Sequence, residues 1–330
     1  MTHGDHLSIL QRVAGPVSQA PPADAQVAAA VTTTPQSEGR STSIDLIKTL
    51  YRDRPHAVLY TPFCKVRDVL AGCRYLASTD GTRLSAAVAY TQDSIEFAWA
   101  LPGRGETLRN LIVQARHRLR QVAFVAVMET GTRSWSQVLG LPILGRYYRA
   151  YLPTADVPAV DPPSGYEFAP LDVQTDAQDA ARLLNEAYPS LRDLTSPERL
   201  HHMAAQPYHR ADCWFFLRQT RSRKIVGIAL GGLCEDMGEG FIDWVEVQPR
   251  YRGRGLGRLL ILELIRRLSQ TTSFITASGS LDAPFVIGNL YERCGFTQSR
   301  QWTVLGEGRR MDHHDNALFI PPARARGTAT

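Results

Sequence analysis

The chain of 330 residues predicts a mixed α+β fold in two halves, each a central mixed β-sheet flanked by helices. Three observations carry this expectation. The second half reads β-α-α-β-β-β-α-β-α-β by hydrophobic periodicity and turn signals. The first half repeats one part of that order, a strand, a proline, Gly-Arg-Gly, a helix and a strand. A proline-rich stretch separates the two, and the length suits two domains at ~100–200 residues each.

Composition narrows the classes. A net charge of +5 suits an anionic ligand but lacks the dense Lys/Arg tracts of a dedicated nucleic-acid binder, so no nucleic-acid partner is expected. The cysteines Cys64, Cys73, Cys213, Cys234 and Cys294 are odd in number and show no CxxC spacing. Neither a disulfide framework nor a zinc cage is indicated, and reduced thiols in a cytoplasmic protein are expected. No apolar run reaches the ~18–20 residues that cross a bilayer, and the N-terminus has no basic region followed by an apolar core. Residues 1–42 are rich in Ala, Pro, Thr, Ser and Gln, a composition that predicts a disordered tail.

Order is expected from Ser43, where Ile44, Leu46, Ile47 and Leu50 recur at helical spacing. An apolar stretch through Leu70 leads to the turn at Asp80-Gly81. Leu84 to Tyr90 and Ile95 to Leu101 then alternate as a hairpin around Gln92-Asp-Ser94. A helix from Glu106 to Leu119, a strand from Val122 to Met128 and an edge strand at Tyr147 to Leu152 complete a domain over 43–152. Pro153, Pro158, Pro162 and Pro163 mark a linker at 153–164.

The second domain, 165–305, opens with a strand at Tyr166 to Ala169 and a capping box at Thr175 to Gln178, ahead of a helix carrying Leu183 and Leu184. Ser196-Pro197 starts a second helix, with proline at its tolerated first position. Strands follow at Cys213 to Gln219, Ile225 to Leu233 and Gly240 to Val247, then a leucine-rich helix to about Gln270. A strand at Phe274 to Ala277, a helix opening at Asp282, and a strand at Gln301 to Leu305 end the domain. Residues 306–330 are a C-terminal tail.

Between Val247 and the leucine-rich helix lies a basic, glycine-rich turn, Arg252-Gly-Arg-Gly-Leu-Gly257. Glycine allows the tight bend and leaves backbone N–H groups uncovered, and the helix start adds the positive end of its dipole. Six arginines between Arg250 and Arg267 face a single Glu263, so the turn is an anion cradle. This turn, in the order of elements around it, resembles the Gln/Arg-x-x-Gly-x-Gly/Ala loop of the GNAT superfamily of N-acetyltransferases. Tyr291-Glu-Arg-Cys-Gly-Phe296 matches that family's Tyr-x-x-x-Gly-Phe signature. The resemblance covers residues 165–305 and implies a tandem GNAT fold.

The resemblance implies an acyl-CoA co-substrate, most simply acetyl-CoA, with no metal. The pyrophosphate would lie on backbone N–H groups of Gly253, Arg254, Gly255, Leu256, Gly257 and Arg258, with charge from Arg252 and Arg254. Pantetheine would hydrogen-bond backbone near Val245 and Val247. Strand alternation puts Phe241, Asp243, Val245 and Val247 on one side and Ile242, Trp244 and Glu246 on the other. Asp243 is therefore expected as general base, directly or through water, with Glu239 second, and Glu246 is set aside by parity. Tyr291 is the implied general acid for the departing thiolate. Asn289 stands close to Tyr291, nearer than the pantetheine-contacting Asn common in the family. Cys294 reads as a small packing residue rather than a nucleophile. The pairs His201-His202 and His313-His314 point to different faces and read as solvated side chains.

In the first half, Glu96 stands where Asp243 stands counted back from the proline. The cradle there has lost three residues, including the counterpart of Arg252, and Thr107 replaces Gly257. A degenerate GNAT-like domain that packs on the active one and shapes its acceptor cleft is expected. The reading is an N-acyltransferase that acetylates a primary amine of a small molecule or peptide by direct transfer. The alternatives are a longer-chain acyltransferase of a natural-product pathway, fed by CoA or an acyl carrier protein, and a non-catalytic acyl-CoA-binding module. Neither a membrane partner nor a metal is implied.

Overall fold

A computed structural model describes residues 40–80, 83–119, 125–128, 135–154, 159–187, 195–281 and 288–306. The first half begins with helices α1 (Arg40–Asp53), α2 (Pro55–Val58) and α3 (Phe63–Gly72), followed by strands β1 (Arg74–Asp80), β2 (Arg83–Tyr90) and β3 (Ile95–Ala100). Helix α4 (Gly105–Arg116), β4 (Val125–Met128), α5 (Trp135–Leu139) and β5 (Ile143–Pro153) complete it. The second half holds β6 (Tyr166–Pro170), α6 (Val173–Ala187), α7 (Pro197–Ala204), β7 (His209–Gln219), β8 (Ile225–Cys234) and β9 (Glu239–Val247). Helix α8 (Leu256–Ser269), β10 (Phe274–Ser280), α9 (Gly288–Glu292) and β11 (Thr297–Leu305) follow. The residues before 40 and after 306, and residues 282–287, where a helix is expected to open at Asp282, lie outside the described residues.

All eleven strands form one mixed sheet in the order β1-β2-β3-β4-β11-β5-β10-β9-β8-β7-β6. Its two arms are equivalent: antiparallel β1-β2-β3 with parallel β4 on one side, antiparallel β7-β8-β9 with parallel β10 on the other. The final strands of the halves are exchanged at the centre. β5 lies antiparallel against β10, and β11 lies antiparallel against β4 and against β5. The edge strand expected at Tyr147 to Leu152 is thus an interior strand. Its tyrosines at 147, 148 and 151 suit either position, and pairing with β10 and β11 on both sides decides it.

Helices cover both faces. α8 packs its Leu256, Leu260, Leu264 and Leu268 on the second arm, and α4 packs Leu108, Leu111 and Ile112 on the first. Helices α6 and α7 enclose Trp214, Phe216 and Trp244 on the face opposite α8. Helices α1 to α3 cover Ala87, Ala89 and Phe97 of the first arm, and the same apolar cluster takes in Cys234, Met237 and Phe274 of the second. The first helix starts at Arg40, three residues earlier than expected. α6 is capped by Asp172 rather than by the box at Thr175: the Gln174 N–H donates to Asp172 Oδ1 at 2.9 Å and the Asp172 N–H donates to Asp176 Oδ2 at 3.0 Å. At α7 the expected cap holds, with the Arg199 N–H donating to Ser196 Oγ at 3.3 Å.

One buried polar cluster ties the halves together. Arg149 of β5 donates from Nη2 to Glu239 Oε1 at 2.8 Å, to Tyr51 Oη at 2.6 Å and to Thr276 Oγ1 at 3.1 Å. Tyr51 and Thr276 donate in turn to the same carboxylate at 2.8 Å and 2.6 Å. The Arg149 and Glu239 side chains are 1% and 0% exposed, so the charges screen each other without water. Burial pushes the Glu239 carboxyl up, opposed by Arg149. Removing one partner of a buried pair strands the other charge. Glu239→Ala is expected to lower unfolding free energy by ~3–5 kcal/mol, and the double variant with Arg149→Met to recover much of it. Urea denaturation followed by circular dichroism measures both.

Candidate active site

Strand β9 pairs regularly with β8 except at one point. Ile242 faces Gly231 and Trp244 faces Leu230, leaving Asp243 as the extra residue of a bulge. The bulge overturns the expected parity. Ile242, Val245 and Val247 all pack with the α8 cluster, while Phe241 meets Tyr208 edge-to-face at 5.7 Å on the opposite face and Trp244 packs with α6 and α7. Asp243 stays with Phe241, as expected, but Val245 and Val247 do not. Glu246, one alternation after Trp244, falls on the face that parity alone denied it. The inserted residue resets the two-residue alternation, and a period count across it fails for that reason.

The same bulge ends the pairing with β10. Parallel register runs from Glu239 opposite Phe274 to Ile242 opposite Ala277 and stops there, while β10 continues to Ser280 alongside β5. From Asp243 to Val247 the β10-facing edge of β9 carries no ladder partner among the described residues, and the two strands diverge. The divergence opens toward the glycine turn. Gly253 and Gly255 have φ of 75° and 78°, in the left-handed region, and Gly255 is the residue at which α8 begins. A side-chain carbon built on either glycine meets nothing within 4 Å among the described residues, so the turn is not packed over at these two positions. Leu256 is buried and anchors the helix, whereas Gly253, Arg254, Gly255 and Arg258 are exposed around its positive end.

The arginines are arranged less uniformly than their number implies. Arg252 donates from Nε to the Val247 carbonyl at 3.1 Å and lies 3.9 Å from the Glu246 carboxylate. Arg254 stacks near Tyr251 at 5.3 Å, as does Arg250 at 5.5 Å. Arg266 and Arg267 both bind Glu263, which holds its carboxyl below the usual range. The last two are clamps on α8 rather than part of the cradle.

Tyr291 is nearly buried, between Tyr148 at 6.1 Å and Phe296 at 5.3 Å. It lines a cavity of about 240 Å³ with Tyr148, Ala150, Glu292, Phe296, Thr297 and Ser299. Tyr148 comes from β5, so the first half forms part of this wall. That contribution was invisible in the sequence, because it depends on the strand exchange. Gly279, paired with Tyr148, marks it in retrospect: a side-chain carbon there would lie 2.4 Å from the Tyr148 hydroxyl.

On the opposite face Asp243 pairs with Lys65 of α3, a partner that the sequence reading missed. Burial pushes the Asp243 carboxyl up, and Lys65 opposes the rise. Glu239, the second carboxylate expected as a base, is instead held in the core by Arg149, Tyr51 and Thr276. Burial pushes the Cys294 thiol up to about 11, which keeps it protonated and fits a packing residue. His201 bonds the Pro197 carbonyl at 2.7 Å and His202 contacts Gln206 at 3.1 Å, both within their own helix or turn. His313 and His314, Tyr188 and the side chain of Asn289 lie outside the described residues. Among the described residues no group of three or more His, Cys, Asp or Glu is arranged to hold a metal, and no helix is long and apolar enough to cross a membrane. In the first half, Glu96 accepts from Ser94 and Arg104 binds Asp80, so both equivalents are internally engaged.

Residues 177–296 match the family model described as the Acetyltransferase (GNAT) family. No curated protein matches the chain in sequence. Among solved structures, a GCN5-related N-acetyltransferase from Sphaerobacter thermophilus is similar over 70% of this chain and 79% of its own, at 18% identity and TM-score 0.50. A Drosophila protein is similar over 83% and 98%, at 14% identity and TM-score 0.51. A tandem GNAT protein from the clavulanic acid biosynthesis pathway matches over 80% and 95%, at 15% identity and TM-score 0.49. The chain has the GNAT fold, with a GNAT domain at 177–296.

The turn makes a prediction independent of ligand. Gly253→Ala and Gly255→Ala force a left-handed alanine and are expected to lose ~1–2 kcal/mol each. Gly257→Ala lies inside α8, with only Leu290 at 3.5 Å and Val247 at 4.0 Å as neighbours, and is expected to gain up to ~1 kcal/mol. Chemical denaturation of the three variants gives opposite signs.

Proposed function

With a GNAT domain at residues 177–296 as the premise, we propose that this chain is an acyl-CoA-dependent N-acyltransferase acting on a primary amine. The observation that carries the reading is the β10-facing edge of β9 beyond Ile242, where the backbone ladder with β10 ends among the described residues and the strand runs from a bulged carboxylate to a left-handed glycine turn at a helix start. That edge offers backbone groups to an extended amide-bearing chain, as a further strand would. The open side of the turn offers N–H groups and a helix dipole to a pyrophosphate. The residues fit acyl-CoA in both respects: Val245 and Val247 would hold the pantetheine arm, and Gly253, Arg254, Gly255, Leu256, Gly257 and Arg258 the pyrophosphate, with charge from Arg252.

Asp243 and Tyr291 then take the two proton transfers. An acceptor amine arrives protonated and must lose that proton before it can attack a thioester. Asp243 accepts it, directly or through a water. The amine nitrogen bonds to the carbonyl carbon, the carbon–sulfur bond breaks, and Tyr291 donates its phenolic proton to the departing thiolate, while the second proton of the nitrogen leaves through solvent and restores the phenol. Asp243 lies on the α3 face and Tyr291 in the α8 cluster, on opposite sides of the gap where β9 and β10 part. Donor and acceptor can therefore approach from different faces. Of the two carboxylates considered for the base, Asp243 is favoured, since Glu239 already accepts from four groups.

Intact-mass screening of thioester donors against a panel of amines tests the activity, with acetyl-CoA first and longer acyl-CoA and carrier-protein thioesters after it. Asp243→Asn and Tyr291→Phe are each expected to lower kcat by ~10²–10⁴-fold. A double variant with the wild-type rate would rule out this mechanism, and acetyl-CoA binding without turnover over the whole panel would favour a binding module. The pH profile has a defined sign. Asp243 must be ionised to act and its carboxyl is raised by burial, so kcat/KM falls with decreasing pH through a midpoint above the ordinary aspartate range.

A further inference from the structure

Lys65 stands on α3, in the half whose own cradle is lost, yet its ammonium contacts the carboxylate of Asp243 in the second half. The two side chains are 6% and 7% exposed. The ammonium also lies 4.8 Å from the centre of the Phe241 ring and 5.8 Å from that of Tyr208. Both are within the range at which an aromatic face attracts a cation. The charge so placed meets a carboxylate and two ring faces.

We propose that Lys65 is a positioning residue of the transfer reaction, keeping the Asp243 carboxylate ionised and oriented at the bulge. The inference rests on Asp243 being the base. Its physical content is a balance of two effects at one site. Removal from water favours the neutral acid, which cannot accept a proton, and an adjacent positive charge favours the carboxylate, which can. The bulge lifts Asp243 out of the ladder and leaves its orientation to side-chain contacts, and the contact present is Lys65.

Other groups near Asp243 do not replace this charge. Tyr208, in the turn before β7, faces Asp243 and Cys64, and burial pushes its phenol up, so it remains neutral. Glu246, on β9 itself, lies near Arg252 at the far end of the strand. The arginines of the turn and of α8 serve the cradle and Glu263. The first half would thus act in catalysis through one lysine, beyond shaping a cleft.

The test compares Lys65→Met, Lys65→Gln and Asp243→Asn in the full-length chain. Two readouts are used, the pH profile of kcat/KM and the titration of the Asp243 carboxyl by carbon-13 NMR of aspartate-labelled protein. Loss of the charge is expected to raise the Asp243 midpoint by ~1–3 pH units. At pH below both midpoints transfer then falls by the corresponding ~10–10³-fold, and it recovers as the pH is raised. Lys65→Gln keeps a hydrogen-bond donor without the charge and gives the same shift if charge is what acts. It also serves if Lys65→Met does not fold. An unchanged midpoint in a folded variant overturns the inference, even with Asp243→Asn inactive. An active Asp243→Asn overturns the assignment of the base instead, and the NMR midpoint still reports whether Lys65 holds the carboxylate ionised.

Discussion

The rest of the structure depends on the exchange of β5 and β11 at the centre of the sheet. Each half supplies a strand that completes the other, so neither arm has an inner edge left to pair. Antiparallel pairing of β5 with both β10 and β11 makes the two halves one continuous sheet. Hydrogen bonds alone would tolerate a register slip, but Arg149 does not. Its guanidinium reaches Glu239, Tyr51, Thr276 and Ser278 at once, on three different elements besides its own. A shift by one residue would turn that charge to the other face with no partner there.

The exchange has consequences at the site. β5 runs beside β10 to Ser280, beyond the point where β9 leaves it, and so β10 is held from one side only. The gap between β9 and β10 exists because β10 has a better partner and because the bulge at Asp243 bends β9 away. Tyr148 reaches Tyr291 by the same route, and α3 reaches Asp243 because α1 to α3 extend from the first arm onto the second. The first half thereby borders the candidate site on both faces of the sheet.

Electrostatics are divided in the same way. Exposed charge collects where an anion would meet solvent, at Arg254 and Arg258 beside the start of α8. Two buried ion pairs join the halves, Arg149 with Glu239 and Lys65 with Asp243. The first is saturated with hydrogen bonds and serves the core. The second places its carboxylate at a strand irregularity, the bulge at Asp243.

Much was legible in the chain itself, for local reasons. Glycines at 253 and 255 are read from sequence because a left-handed turn is a property of single residues, and the same holds for Ser196 before Pro197. The hairpin of β2 and β3, the amphipathic α8 and the family signatures are equally short-range. Parity along β9 was misread for Val245, Val247 and Glu246, because a bulge is a relation between two strands and leaves no mark in one. Asp243 and Glu239, four residues apart, ranked first and second as the base by strand position alone, and their partners are what set them apart. Those partners, Tyr51, Lys65 and Arg149, lie between 90 and 188 residues away in the chain. The sequence by itself therefore determined most of the elements, the left-handed glycine turn and the candidates for acid and base. Tertiary structure decided which strand is central, which carboxylate is buried for stability and which lysine faces the other, since each depends on long-range pairing that no local pattern encodes.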